Sequence, residues 1–193
     1  MPRFSEQEKE IINKKLLLEG ERLFTMYGLK KVTVDDLVAA VNISKGSFYA
    51  FYPSKEHLYI EINFRLQDKI FLEIKEAICS MQFPNQTALT KEVIMRALNG
   101  FISSPILSQF DFTIMDYLQR KLPEEIFDNH VRSDIRLFEM LEELGVKFVL
   151  PHSVIVKSLY SVLACLDQYK TDKDFSMIQN LLIDGIVDQS IKE

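Results

Sequence analysis

At 193 residues and 47% hydrophobic side chains, the chain can bury one sizeable core or two smaller ones, which excludes a disordered polypeptide. A net charge of −5 excludes a surface coated in basic residues, and the two cysteines, Cys79 and Cys165, lack the CxxC spacing of a thiolate metal site or disulfide framework. The charge is uneven: residues 1–57 carry nine Lys/Arg against eight Asp/Glu, whereas residues 58–193 carry fourteen against twenty. The least acidic stretch is compatible with a small nucleic-acid-binding head on an acidic body.

From the N-terminus, MPRFSEQEKE is charged and holds no apolar h-region, and no run of about eighteen apolar residues follows anywhere. The expectation is a soluble protein with no membrane partner and a reducing, cytoplasmic location. Ser5 with Glu8 predicts a capping-box start, and Ile12, Leu16, Leu23 and Tyr27 then share one face of a first helix that ends at Gly28.

The stretch Thr33–Leu58 holds three helix starts: Thr33 with Asp36 three on, Ser44 with Ser47 three on, and Ser54 before Lys55 and Glu56. The second helix is predicted over about Val34–Ala40, burying Leu37, Val38 and Val41. Asn42 occupies a left-handed turn of helix-turn-helix length, and a short third helix runs from Ser44 to near Pro53.

A long helix is predicted from Ser54 to about Met81, with Leu58, Ile62, Ile70, Ile74, Ala77 and Met81 in its apolar stripe. After the Pro84–Asn85 loop, Thr87 or Thr90 caps a helix to about Ser103. Pro105 opens one to Lys121, Pro123 one to Gly145 and Pro151 one to Tyr169, and Phe175–Ile191 is the last. No β-period alternation is sustained. The expectation is an all-α fold of about nine helices, with a head over residues 1–53 and a helical body over 54–193.

Thr33–Leu58 resembles the DNA-binding segment of TetR-family transcriptional regulators, whose pattern is roughly T-x-x-x-I-A-x-x-A-G-V-S-x-G-[ST]-[LF]-Y-x-x-F-x-x-K-x-x-L. Here it reads Thr33, Leu37, Val38, Val41, Asn42, Ile43, Ser44, Gly46, Ser47, Phe48, Tyr49, Tyr52, Lys55 and Leu58. Departures are Asn42 for the usual glycine, valines at 38 and 41 for alanines, and Tyr52 for phenylalanine. The resemblance implies a homodimer whose N-terminal domains read a double-stranded DNA operator and whose larger C-terminal domains bind a small-molecule effector and dimerise. It covers about a third of the chain.

The chemistry of the residues points the same way. A recognition helix needs small or polar side chains at its tip, and Lys45, Gly46 and Ser47 meet that need, with Ser44 capping first. Thr33 and Lys55 are expected to grip phosphates from the starts of the second and fourth helices, and Tyr49 matches the family's phosphate-contacting tyrosine. Tyr52 either assists or packs inside. Phe48 is expected in the core, Phe51 either packs or touches a thymine methyl, and Lys30 and Lys31 read as a solvated pair sooner than as phosphate ligands. Two heads can bind half-sites about 34–36 Å apart on a near-palindromic operator.

In the body, Ile155, Leu159, Val162 and Leu166 form one stripe and Val156, Tyr160 and Leu163 another, so one face can enter the core while the other meets a partner subunit. Ile178, Leu181, Leu182 and Ile186 of the last helix join that dimer face. Phe101, Phe110, Phe112, Met115 and Tyr117, with Tyr160, are the candidate lining for a partly apolar effector. His57, His130 and His152 are scattered and make no HExxH or HxxxH, so no catalytic residue, metal or cofactor is expected, and the chain is read as a non-enzyme. The favoured reading is a ligand-responsive repressor. Its alternative is a helical binding module that has lost sequence-specific DNA binding.

Overall fold

The computed structural model describes residues 4–109 and 112–192, apart from the side chains at 112, 128–134 and 167. Among the described residues the chain forms nine α-helices and one 3-10 turn, and the only β pairing is an isolated bridge between Phe148 and Ile191. The all-α expectation is met. No helix among these residues is long and apolar enough to cross a membrane.

Contacts divide the chain into two compact units, Met1–Leu66 with Pro105–Pro123, and Gln67–Ser104 with Glu124–Glu193. The expected head of residues 1–53 lies wholly within the first. That unit takes in addition the start of the long helix and a segment from the middle of the chain.

In the first unit, α1 (Glu6–Tyr27) begins as the sequence predicts: Ser5 Oγ accepts the Glu8 N–H at 3.2 Å while the Glu8 carboxylate accepts the Ser5 N–H at 2.8 Å. Its buried stripe ends at Phe24, whose ring meets Tyr59 edge-on at 5.2 Å. Tyr27, expected on that face, is exposed. α2 (Val34–Val41) buries Leu37, Val38 and Val41, and Asn42 turns the chain at φ 59, ψ 51. That left-handed geometry is open to Asn because its short polar side chain tolerates it.

The following α3 (Lys45–Phe48) is one turn long rather than reaching Pro53. Ala50 and Phe51 donate to the carbonyls three residues back, so the chain leaves the α-helix as a tighter turn. α4 (Lys55–Cys79) then crosses from one unit to the next between Leu66 and Gln67, and Met81 lies beyond its end. Within the first unit Leu58 and Ile62 of α4 press on Gly20 of α1, where a Cβ would stand 3.0 Å from Ile62 Cδ1. After Pro105 the predicted helix is interrupted: a 3-10 turn (Leu107–Gln109) precedes α6 (Phe112–Gln119), because Gln109 N–H bonds to Ile106 three residues back.

The second unit packs α5 (Gln86–Ser103), α7 (Glu124–Glu143), α8 (His152–Asp167) and α9 (Phe175–Ser190) with the later turns of α4. Asn85, not Thr87 or Thr90, caps α5: its side chain accepts the Ala88 N–H at 2.8 Å, while Thr90 is fully buried. The core centres on Val93, Ile94, Leu141, Leu166, Ile183 and Val187. Both apolar stripes of α8 face inward, with Ile155, Val162 and Leu166 buried and Leu159, Tyr160 and Leu163 partly so. Neither stripe is left fully open within the chain, and α8 packs against α5, α7 and α9. Of the residues expected on the dimer face Leu181 is exposed, and Val154, Ala164 and Met177, which were not expected there, are exposed as well.

Candidate nucleic-acid interface and ligand cavity

The first unit places a turn between two capped helices on its surface. Thr33 Oγ1 accepts the Asp36 N–H at 3.2 Å and donates to the Asp36 carboxylate at 2.6 Å, which also accepts the Thr33 N–H. Those hydrogen bonds hold the Asp36 carboxyl below its ordinary range, the hydroxyl's bond contributing most. Thr33 therefore has its hydroxyl and its own N–H engaged within the chain.

At the tip, Ser44 Oγ accepts the Ser47 N–H at 3.1 Å and shares a 2.8 Å hydrogen bond with Ser47 Oγ. Ser47 is only 8% exposed, so of the three expected tip residues Lys45 and Gly46 face solvent and Ser47 faces in. Lys45 Nζ donates to Asp35 at 3.0 Å, and that bond, followed by the Asp35 charge, raises the lysine's pKa. Asp35 is a partner that no spacing rule picks out. Tyr49, the C-cap of α3, is 51% exposed with its ring edge-on to buried Phe48. Phe51 packs against Phe4 at 6.4 Å, which decides the open choice at that position for packing.

Two further candidates are turned inward, Tyr52 by the second of its two alternatives and Lys55 against expectation. Tyr52 is buried, and its hydroxyl donates to Asn13 Oδ1 of α1 at 2.7 Å. Burial, more than the Glu61 charge, pushes its pKa up to about 12. Lys55 directs its ammonium at the carbonyls of Leu29 (2.8 Å), Lys30 (3.3 Å) and Val32 (2.5 Å). An ammonium has three donors, and these bonds occupy all of them. Lys55 thus anchors the α1–α2 connection instead of standing ready for a phosphate.

Next in sequence, Glu56 is 8% exposed and accepts a hydrogen bond from Tyr117 Oη of α6 at 2.6 Å. Burial raises the Glu56 pKa, but hydrogen bonds from Tyr117, Ser54 and its own backbone, with the Lys55 charge, outweigh it and hold the carboxyl below its usual value. The same hydrogen bond, with burial and the Glu56 charge, pushes the Tyr117 phenol up to about 12. Lys30 sits 6.0 Å from that ring's centroid. Tyr117 therefore belongs to the first unit and to Glu56, not to a ligand lining.

In the second unit, Phe101 and Tyr160 of the candidate lining do meet at a cavity of about 60 Å³. Phe71 of α4, Ile94, Ala97, Leu98 and Phe101 of α5, Leu137 and Phe138 of α7, and Val156, Leu159, Tyr160 and Leu163 of α8 surround it. Met115 is not among them. Phe110, and the side chain of Phe112, lie outside the described residues. Sequence missed Phe71 because it lies off the main stripe of α4, and it placed Leu159 and Leu163 on two different stripes of α8 without marking either as cavity lining. A larger groove of about 630 Å³ on the same unit is rimmed by Lys91, Glu92, Arg96 and Asn180.

Comparison with other proteins agrees with this geometry. Residues 16–62 match the family model described as bacterial regulatory proteins, tetR family. The Bacillus subtilis (strain 168) protein named uncharacterized HTH-type transcriptional regulator YhgD is 36% identical in an alignment covering 68% of this chain and 80% of YhgD. YuxN of the same organism, also named as an HTH-type transcriptional regulator, is 31% identical over 118 residues; the chain spans 61% of itself there but 36% of the length of YuxN. In fold, the crystal structure of a TetR family transcription regulator from Marinobacter aquaeolei VT8 superposes with a TM-score of 0.66 at 12% identity, covering 98% of this chain and 100% of the other.

Two outcomes follow. Lys55→Met lowers the stability of the DNA-free protein by about 1–3 kcal/mol, measured by urea unfolding, since three carbonyls lose a charged donor. A residue that served only to bind phosphate leaves that midpoint unchanged. Tyr117→Phe costs about 1–2 kcal/mol near neutral pH. The Glu56 contribution is present above the ordinary 4.5 and is lost as pH falls through its depressed folded value. The Tyr117 contribution is present below the ordinary 10.0 and is lost as pH rises toward about 12. The gap between wild type and variant should form a plateau between those limits, and a gap independent of pH excludes the ionic hydrogen bond as its source.

Proposed function

This chain belongs to the TetR family of bacterial transcriptional regulators, and from that premise we propose that it is a ligand-responsive repressor that binds a near-palindromic DNA operator as a homodimer. The observation that carries the reading is the exposed tip formed by Lys45 and Gly46, beside Tyr49 and directly after the second of two side-chain-capped helix starts. Gly46 lets the backbone approach a groove, Lys45 offers a donor for guanine O6 or N7, and Tyr49 offers a hydroxyl to phosphate. Thr33 and Ser44 fix where the two helices begin, and Ser47 holds Ser44 in place. Tyr52 and Lys55 support the head from within.

One head gives few contacts, and each is weakened by salt. A symmetric pair doubles them and reads two half-sites. The surface available for pairing combines α8 and α9: Met177 and Leu181 are 72% and 73% exposed, and a Cβ at Gly185 would meet nothing within 4 Å. Large apolar side chains left this open favour a covering partner. The effector's place is the cavity of the second unit, walled in part by α4. Because α4 belongs to both units, an effector that binds one arrangement of its walls more tightly than another can shift the population of DNA-competent dimers.

The experiment is a gel-shift titration of the full chain against the DNA beside its gene, run over a salt series. Binding tighter than to random duplex is expected, and its absence ends the regulator reading in favour of a module without sequence-specific DNA binding. Lys45→Ala should relax preference at one base position by about 1–3 kcal/mol, and Tyr49→Phe should weaken all sequences alike. Independently, Leu181→Glu should convert the dimer to a monomer in sedimentation velocity. A wild-type protein that sediments as a monomer at operator-binding concentrations rules out the preformed dimer.

A further inference from the structure

We propose that the cavity of the second unit selects an uncharged, hydrocarbon-dominated effector and rejects carboxylate and ammonium homologues of the same size. This rests on reading that cavity as the effector site. Its floor is built by Ile94, Leu137 and Phe138, each 5% exposed or less, and its rim by the half-buried Phe71, Phe101 and Leu163. Among the described lining residues none is charged, and the one side-chain polar group is the Tyr160 hydroxyl.

The cavity as it stands, about 60 Å³, is well short of the several hundred Å³ of typical ligand sites, so an effector enters by displacing side chains. The rim supplies side chains that can move. Phe71 and Phe101 lie 6.4 Å apart in a tilted pair and neither is fully buried. Opening them enlarges an apolar surface, which an alkyl or aryl group covers at a gain proportional to its area.

A charge brought to the same place loses its water and meets no counter-charge on the described walls, a cost that grows steeply with burial. Even at the rim a headgroup borders on aromatic faces. The charged groove on the same unit is a separate surface, where Lys91 is paired with Asp184 and Arg96 with Glu92. The walls thus filter by charge first and by shape second.

The test uses the full chain with three eight-carbon probes: 1-octanol, octanoate and octylammonium, each below its aggregation threshold. Thermal shift reports binding, and release of a labelled operator reports response. Expected are a rise in Tm with 1-octanol and affinities about 100-fold weaker or worse for both ions. Filling the cavity by Ala97→Met, or its rim by Leu163→Trp if the first variant folds poorly, should abolish the octanol shift.

Ions that bind as well as the alcohol, a shift that survives both filled variants, or no binding by any probe each overturn the charge filter. Failure of the functional reading looks different. There, 1-octanol binds selectively and the operator stays bound, so the cavity's chemistry stands while its role as effector site falls.

Discussion

The carbonyls of Leu29, Lys30 and Val32 converge on a single ammonium, that of Lys55. This arrangement fixes the connection between α1 and α2 and therefore the place where Thr33 can begin a helix. Lys55 is lowered in pKa by burial, with the neighbouring Glu56 and Asp36 charges acting the other way, so the cation is kept by its partners. One residue on, Glu56 holds Tyr117. Two adjacent opposite charges at the start of α4 thus fasten two segments that lie 26 and 61 residues away in sequence. Removing either partner from such a pair leaves a buried polar group unsatisfied, which costs more than forming the pair gained.

The second unit is organised by shape more than by charge. Gly100 of α5 faces Ile70 of α4, and a Cβ there would stand 2.9 Å from Ile70 Cγ2. Next to them on the same two helices, the rings of Phe71 and Phe101 meet at 6.4 Å in a tilted pair. A glycine and an aromatic pair along one helix contact leave a tight seam beside an imperfectly filled space, and the cavity lies in that space.

Local chemistry made much of the head legible in sequence. The caps at Ser5, Thr33 and Ser44 and the left-handed Asn42 depend on residues within four positions of one another, and all are found as read. Lys55 and Tyr52 were not legible in the same way. Their partners, a loop carbonyl set and Asn13, are supplied by tertiary packing, and neither residue's type says whether its polar end faces out or in. Tyr117 shows the same limit: an aromatic in a Met- and Phe-rich stretch reads as lining until Glu56 is seen beside it. On α8, periodicity identified two apolar stripes correctly but could not tell that both had neighbours within the subunit. Helix ends failed where more than one residue could cap or stop the chain, as at Asn85 and at the one-turn α3.

Lys45 already carries an anion, the Asp35 carboxylate 3.0 Å away. If that ammonium turns to the DNA groove, as proposed, it gives up a carboxylate for the neutral O6 or N7 of a guanine. The Asp35 carboxylate is then left to solvent, and the exposed ion pair that is lost is worth little. Salt dependence counts released ions, about 0.9 per neutralised phosphate in B-form duplex. A lysine held at a base edge neutralises no phosphate and adds little to that count while still deciding sequence, so selectivity and ionic strength become separable properties of one small surface.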